Sequence, residues 1–449
     1  LYIVFSGHFF TKTKKMAEAK KHIEILTESM LQDQLNFFKE PTTALPNTVI
    51  TEFENLVRLN IKNARSPVTF TDSVKVYTNG NEKFTDLIAD LEKAKESIFM
   101  QYFIIRYDDI GCKIMDILCK KAKEGLDVKL LYDDMGCFTT PRKFFLQLDT
   151  AGGMSLSFFP VKWTSPLGIN FRNHRKIVVI DKTIGYTGGF NIGNEYLSLG
   201  YGFKHRNQVV WRDTHLRMTG SCVLSLLTVF LIDWYSVASG KKALKKYPIP
   251  NGVVPVPQLE DINEVILKDL TTDITGDQHI PTQIVTSGPD VLDHQEIRDM
   301  LIKMIMSAKS FVFIQTPYFT PDEPFLAALK IAVASGIDIR IMVPGKWDKF
   351  YVRAAGIRFF AYPGFIHSKT MVVDNNLVTI GSTNIDNRSF ELLFELNTIF
   401  YDKEFAQHNG EIFLTDQRKC TELKSEWFES RPIIQRAWWG FCKLVSPLM

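Results

Sequence analysis

The strongest constraint on this chain is a pattern that it contains twice. HRKIVVID runs from 174 to 181 and HSKTMVVD from 367 to 374. Each continues, at the same spacing, into a small Gly-led turn, GGFN at 188–191 and GSTN at 381–384. The shared pattern is H-x-K-x4-D-x6-G-[GS]-x-N, and one chance match in a chain of this length has odds on the order of one in ten thousand. A single His two residues from a Lys at a strand end reads as a solvated edge. Two matches exclude chance and call for two similar units.

The flanks repeat as well. AKESIFMQYFI at 94–104 matches AKSFVFIQTPYFT at 308–320, and EGLDVKLLY at 124–132 matches SGIDIRIMV at 335–343. Each half therefore reads as helix, buried strand, Gly-terminated helix, buried strand, and then the His/Lys strand. Strands alternating with helices imply βαβ units, so the expected class is α/β, each half a mostly parallel β-sheet covered by helices. The boundaries follow composition: an N-terminal segment to 66, a first half over 67–246, a linker over 247–282 and a second half over 283–449. The linker opens with the Pro-rich YPIPNGVVPVPQ at 247–258. One pseudo-symmetric unit is expected rather than two separate modules, because each half offers only one motif His. The interval from Gly336 to His367 is shorter than that from Gly125 to His174 by about the helix RKFFLQLDTAGG. Either the second half has a reduced element here or residues are missing near Val352 and Arg353, a segment beside the site, and missing residues are the preferred reading.

At 449 residues the chain can bury a large core, and its net charge of +3 is only mildly basic. Charge alone does not separate a lipid partner from a nucleic acid. The six cysteines lack CxxC spacing, and no HExxH is present. A reduced protein without a structural metal or cofactor is expected. LYIVFSGHFF opens the chain and precedes Lys12, Lys14, Lys15, Lys20 and Lys21. This reads as the end of a membrane span with its cytoplasmic flank, followed by a membrane-proximal helical region. CVLSLLTVFLI at 222–232 is too short to span and reads as a buried helix. The end of the chain joins Trp438, Trp439 and Phe441 to Arg431, Arg436 and Lys443, which suits core closure and a membrane interface equally.

In an extended strand alternate side chains share a face, so His174 and Lys176 point one way while Ile177 and Val179 point the other. Two such pairs facing across a symmetry axis put two imidazoles and two ammonium groups in one pocket. Lys176, Lys369, Asn191 and Asn384 can donate to phosphate oxygens and stabilise the charge of a phosphorane-like transition state. One imidazole, of His174 or His367, suits a nucleophile and the other an acid for the leaving alkoxide. The pocket is built for phosphodiester transfer. Asp181 and Asp374 complete the motif and are counted with the catalytic set. Yet each lies on the opposite parity from its own His and roughly 23 Å along an extended strand, so its own reading is structural. A nucleophilic His needs a carboxylate to fix its tautomer. Asp213 in VVWRDTHLRM and Glu395 in LLFELNTIF hold matching places after the two Asn turns. His215 reads as a packed strand residue, and His205 as a solvated loop residue. Tyr102, Phe103, Tyr318 and Phe319 read as core, with the lining of an acyl-binding mouth as the alternative.

These stretches resemble the phospholipase D superfamily and, within it, the bacterial cardiolipin synthases. The likeness extends to FIIRYDDIG, WRDTHL, SGPD, QTPYFTPD, STNIDNRSF and VSPLM, nearly everything after about residue 65. The resemblance implies conversion of two phosphatidylglycerol molecules to cardiolipin and glycerol through a phosphatidyl-histidine, with His174 as nucleophile and His367 as acid and then base. It implies a cell-membrane protein acting on phosphatidylglycerol and other anionic phospholipids, its catalytic part cytoplasmic, with no nucleic-acid partner; an oligomer is left open. Hydrolysis by the same residues is the alternative activity, and an idle membrane scaffold is disfavoured because it needs none of them. Leu393 departs from the Asn usual at that place in similar proteins.

Overall fold

The computed structural model describes residues 27–36, 48–158, 171–197, 211–238, 279–289, 295–345 and 356–424. The apolar opening and its lysines, His205, the Pro-rich linker, Val352 and Arg353, and the aromatic and basic end of the chain lie outside them.

Two sheets carry the repeat, and their strand orders correspond. In the first the order is Ser73–Tyr77, His215–Thr219, Ile184–Gly188, Ile177–Ile180, Ser97–Tyr102, Asp127–Asp133 and Met154–Phe158. In the second, Leu393–Tyr401, Leu377–Gly381, Thr370–Val373, Phe311–Gln315, Asp338–Pro344 and Arg358–Tyr362 repeat the last six places. The sheets are mixed, which corrects the expectation of mostly parallel pairing. Along the strand order of the first sheet only Ser97–Tyr102, Asp127–Asp133 and Met154–Phe158, which are joined through helices, run parallel. The motif strands form hairpins with the strands that follow, and a tight turn can join only antiparallel neighbours.

Local chemistry sets the element ends. Asn79, Asp108, Asp322 and Asp402 each cap a helix by accepting a backbone N–H in its first turn, worth about 1 kcal/mol apiece. Gly125 and Gly336 follow matching helices with φ of +93° and +91°, the left-handed conformation that a glycine adopts without a Cβ clash.

Five layers result. Helices Gly80–Lys93, Asp109–Lys123 and Arg142–Thr150 cover the outer face of the first sheet around Leu87, Ile98, Leu118 and Val178. Helices Glu54–Ala64, Glu296–Met306 and Glu323–Ala334 cover the second around Leu56, Met300, Leu329 and Val373. Between the sheets lie helices Cys222–Ala238 and Lys403–Gln417, in one apolar cluster with Val179 and Leu216 of one half and Val372, Phe394 and Phe400 of the other. The run from 222 is thus a buried helix, and among the described residues no helix is long and apolar enough to cross a membrane. The halves share that core, and the chain exchanges elements between them. Thr69–Thr71 pairs with Ile280–Ser287 of the second sheet, whereas Ser73–Tyr77 enters the first.

Candidate active site

Each motif histidine is delivered by a strand that crosses to the other half. Arg172–Asn173 pairs in parallel with the start of Leu393–Tyr401, and the His174 N–H continues the ladder to the Phe394 carbonyl at 2.9 Å. Phe365–Ile366 pairs with Trp211–Arg212, and the His367 N–H donates to the Arg212 carbonyl at 2.7 Å. The next residue of each receiving strand or its extension is a carboxylate, Glu395 or Asp213. His174 Nδ1 lies 3.0 and 3.1 Å from the two Glu395 carboxylate oxygens. His367 Nδ1 lies 2.6 Å from Asp213 Oδ2. With each Nδ1–H donating to its carboxylate, each Nε2 carries the lone pair. The two candidate carboxylates therefore serve the histidines crosswise: Glu395 holds His174, and Asp213 holds His367.

Lys176 and Lys369 are buried beside the rings, each Nζ donating to the carbonyl of its own histidine, 174 or 367. Burial lowers both ammonium groups, Lys176 to about 7 and Lys369 to about 8, while Glu395 and Asp213 pull the other way. Burial also lowers His174, against the pull of Glu395, and lowers His367 to about 3, helped by Lys369. Each lysine charge acts on both rings, so the two motifs form one electrostatic site. For Asp213 burial pushes up, but His367 and Lys369 bring the carboxyl below its ordinary value. The site is anion-seeking: two neutral imidazole nitrogens and two ammonium groups lie in a medium of low polarity.

Asn191 and Asn384 are both buried but not alike. Asn191 Oδ1 accepts from the Ile104 N–H at 3.2 Å, and its amide donates to the Tyr196 hydroxyl at 3.0 Å. Asn384 Oδ1 has no partner among the described residues.

Asp181 and Asp374 lie elsewhere, which corrects their place in the catalytic set. Each sits beyond the far end of its motif strand, in the hairpin turn, with φ of +48° and +50°. The Asp181 carboxylate accepts the N–H groups of Lys95, Glu96 and Ser97 at 2.8–3.0 Å for the closest approaches. Asp374 accepts those of Lys309, Ser310 and Phe311 at 2.5–2.9 Å. Both fasten the turn to the start of the neighbouring strand, where left-handed backbone favours Asp and Asn.

Several supporting residues escaped the motif reading. Arg175, inside the first motif, is fully buried and donates to Asp233 at 2.7 Å, to the Glu395 carbonyl at 3.0 Å and to the Ser287 carbonyl at 3.1 Å. Asp233 also accepts from Gln101 and Asn173 at 2.7 and 2.9 Å. A sequence signal existed: Asp233 is the only charged residue in the apolar helix Cys222–Ala238. The second half is served by Arg212 of the first, which donates to Asp416 at 2.8 Å and to the Ser368 hydroxyl at 2.8 Å. Glu395 takes its local support from the Ser382 hydroxyl rather than from position 393, where Leu393 is buried. Phe103 covers His174 edge-on at 5.1 Å, while Tyr102 and Phe319 are core. His215 is packed, its ring against Phe190, with both nitrogens buried and unpartnered among the described residues.

Fold and site together define a phospholipase D-like protein, two units that each lend the other's histidine a carboxylate. A family model described as cardiolipin synthase, PLD-like domain, matches residues 87–212 and 301–417. The cardiolipin synthase of Oceanobacillus iheyensis is 36% identical over 461 aligned residues, covering 100% of this chain and 90% of that protein. That of Listeria welshimeri is 36% identical over 465, again covering 100% and 90%. A crystal structure of phosphatidylserine synthase from Haemophilus influenzae Rd KW20 shares the fold, with a TM-score of 0.58 at 16% identity over 90% of this chain and 100% of that one. The chain belongs to the cardiolipin synthase family.

Proposed function

We propose that the chain transfers a phosphatidyl group from one phosphatidylglycerol to another, giving cardiolipin and glycerol. The observation that carries this reading is the pair of crossed His–carboxylate couples beside two buried lysines. As the anionic phosphodiester binds, His367 takes up a proton on Nε2; His174 Nε2 then attacks phosphorus, the bond to the headgroup glycerol breaks, and His367 gives that proton to the leaving oxygen. The hydroxyl of the second phosphatidylglycerol then loses its proton to His367 and attacks the phosphatidyl-histidine, and the P–N bond breaks. Protons and charge balance over the cycle. Lys176 and Lys369 hold the phosphate oxygens, and amide donors of Asn191 and Asn384 complete the cradle. The arriving phosphodiester offsets the ammonium charges that depress His367, so the ring regains the basicity its role requires.

Two features support the assignment of roles. Asp213 makes the shorter bond, suited to stabilising an imidazolium. Glu395 is shared with the Ser382 hydroxyl, which spreads its charge and leaves His174 a neutral nucleophile. The site works at the cell membrane, and the lysines after the apolar opening support a cytoplasmic placement. Incubation of the purified chain with phosphatidylglycerol vesicles, followed by lipid mass spectrometry, tests the reading. Cardiolipin with equimolar glycerol is expected. Phosphatidic acid as the main product would make water the acceptor and replace this reading with hydrolysis.

A further inference from the structure

Five large apolar side chains are exposed among the described residues, and three of them gather at one end of the first half. Tyr107 is 58% exposed, Phe138 75% and Leu146 47%. They stand on the loops that follow strands Ser97–Tyr102 and Asp127–Asp133 and on the helix Arg142–Thr150. Met306 and Ile331, the other two, belong to the outer helices of the second half. Arg142 and Lys143 are exposed on the same helix, one turn before Leu146, so two cations flank the apolar side chains. Of the nearby acids, Asp108 caps a helix and accepts from the Asn194 N–H, Asp109 is exposed and accepts from the Asn194 amide, and Asp134 is half-buried.

Side-chain contacts tie the two loops and the helix together in one platform. Arg106 donates to the Thr139 hydroxyl at 2.9 Å, and the Thr140 hydroxyl donates to the Ile105 carbonyl at 2.6 Å. The Ile105 N–H meets Cys137 Sγ at 3.2 Å, and the Tyr107 ring rests 5.4 Å from Phe144. The platform is also continuous with the pocket: Phe103, on the first of these loops, is the residue whose ring covers His174. Aromatic and aliphatic side chains beside arginine and lysine match the boundary between lipid headgroups and acyl chains.

We propose that Tyr107, Phe138 and Leu146, flanked by Arg142 and Lys143, dock on an anionic phospholipid bilayer and present the mouth of the pocket to it. The placement of a lipid mouth rests on the phosphatidyl-transfer reading; the docking surface itself does not. Phe138 and Leu146 enter the acyl boundary, and the two cations meet lipid phosphates. Substrate then reaches His174 past Phe103 without leaving the membrane.

Hydrogen exchange of the full chain, with and without phosphatidylcholine vesicles containing about one third phosphatidylglycerol, tests this. Amides over 103–109 and 134–146 are expected to gain protection with vesicles. Phe138→Ser with Leu146→Ser, both at exposed positions, is expected to lower turnover on vesicles roughly tenfold or more, leaving turnover of monomeric short-chain phosphatidylglycerol within about twofold. Unchanged exchange in these segments on vesicle-bound protein overturns the proposal, as does an equal loss on both substrates. Protection that grows with protein concentration in the absence of vesicles overturns it in favour of a second copy. If no lipid yields cardiolipin, the exchange result still decides the docking surface; if cardiolipin forms without protection, only the docking surface falls.

Discussion

The two halves are alike where they touch the reacting groups and unlike one layer behind. Each contributes a His, a Lys, an Asn turn and a carboxylate for its partner's ring. Behind them, the first half ties Arg175 of its own motif to Asp233, whereas the second recruits Arg212 from the first to reach Asp416. Ser382 donates to Glu395; its counterpart Gly189 has no side chain, and a Cβ there would meet Asp213 Oδ1 at 2.0 Å. Lys83 is buried against the Phe84 and Tyr102 rings near His215. The matching places hold buried Ile297 and Asn397, the latter's amide donating to Thr379. Duplicated chemistry thus rests on supports that have diverged. Equivalent motifs need not make equivalent histidines.

The largest effect expected is loss of either imidazole. His174→Ala and His367→Ala should each lower turnover by roughly 10⁴-fold or more, since residues that act as a unit fail together. Turnover cannot tell the two apart, but rapid denaturation in detergent at mildly alkaline pH, which spares an acid-labile P–N bond, with phosphorus-labelled phosphatidylglycerol can. Label is expected on the peptide carrying His174; label on the His367 peptide would exchange the proposed roles.

The carboxylates come next and sharpen the comparison. Asp213→Asn should cost about 10³- to 10⁴-fold in kcat, as when a triad carboxylate loses its hold on the tautomer. Glu395→Gln should cost clearly less, because the Ser382 carbonyl also faces His174 Nδ1, at 3.1 Å, and still selects the Nδ1–H form. Equal losses would mean that the two couples are interchangeable.

Stability separates the buried supports from the motif aspartates. Arg175→Met leaves Asp233 buried without its cation and should cost about 3–5 kcal/mol in denaturant unfolding, whereas Arg212→Met should cost less, because Asp416 keeps Lys419 at 3.3 Å. Asp181→Ala or Asp374→Ala removes a turn clamp from a more exposed site and should cost about 1–3 kcal/mol, with kcat nearly unchanged. A large kcat loss at either aspartate would restore it to the catalytic machinery.

The smallest effect is one of pH. Lys176 and Lys369 lose their protons near about 7 and about 8 in the empty pocket. Binding of inorganic phosphate or vanadate should therefore weaken as pH rises through that window, by about tenfold per unit for each lysine whose proton the bound anion needs. Calorimetric titration checks this, and Lys369→Met should flatten the upper part of the profile. His367 acts on the empty protein in the opposite range. Its folded value of about 3 lies below the ordinary 6.5, so below pH 6.5 the unfolded chain binds a proton that the folded chain refuses. Stability of the ligand-free protein should fall as pH drops from 6.5 towards 3, measured by unfolding midpoint.

Much of this was legible in the sequence because it is local. Strand and helix alternation, the Gly-terminated helices, the buried helix from Cys222 and the shared spacing of the two motifs depend on residues close along the chain. Strand parity alone was enough to draw Asp181 and Asp374 away from the rings. Parallel pairing was overread, because the repeat shows the helices between strands but not which strands close as hairpins. Arg175 and Asp233 went unnoticed because a buried ion pair 58 residues apart has no periodicity.

By itself, then, the sequence determined that two matched units each supply an imidazole, an ammonium group and a carboxylate. Only the tertiary structure decided that the carboxylates are exchanged, Glu395 to His174 and Asp213 to His367. The reason is geometric. The Arg172–Asn173 and Phe365–Ile366 strands add to the opposite unit's Leu393–Tyr401 and Trp211–Arg212, and a hydrogen bond of about 3 Å across that seam is set by packing between distant segments, which no spacing within one segment encodes.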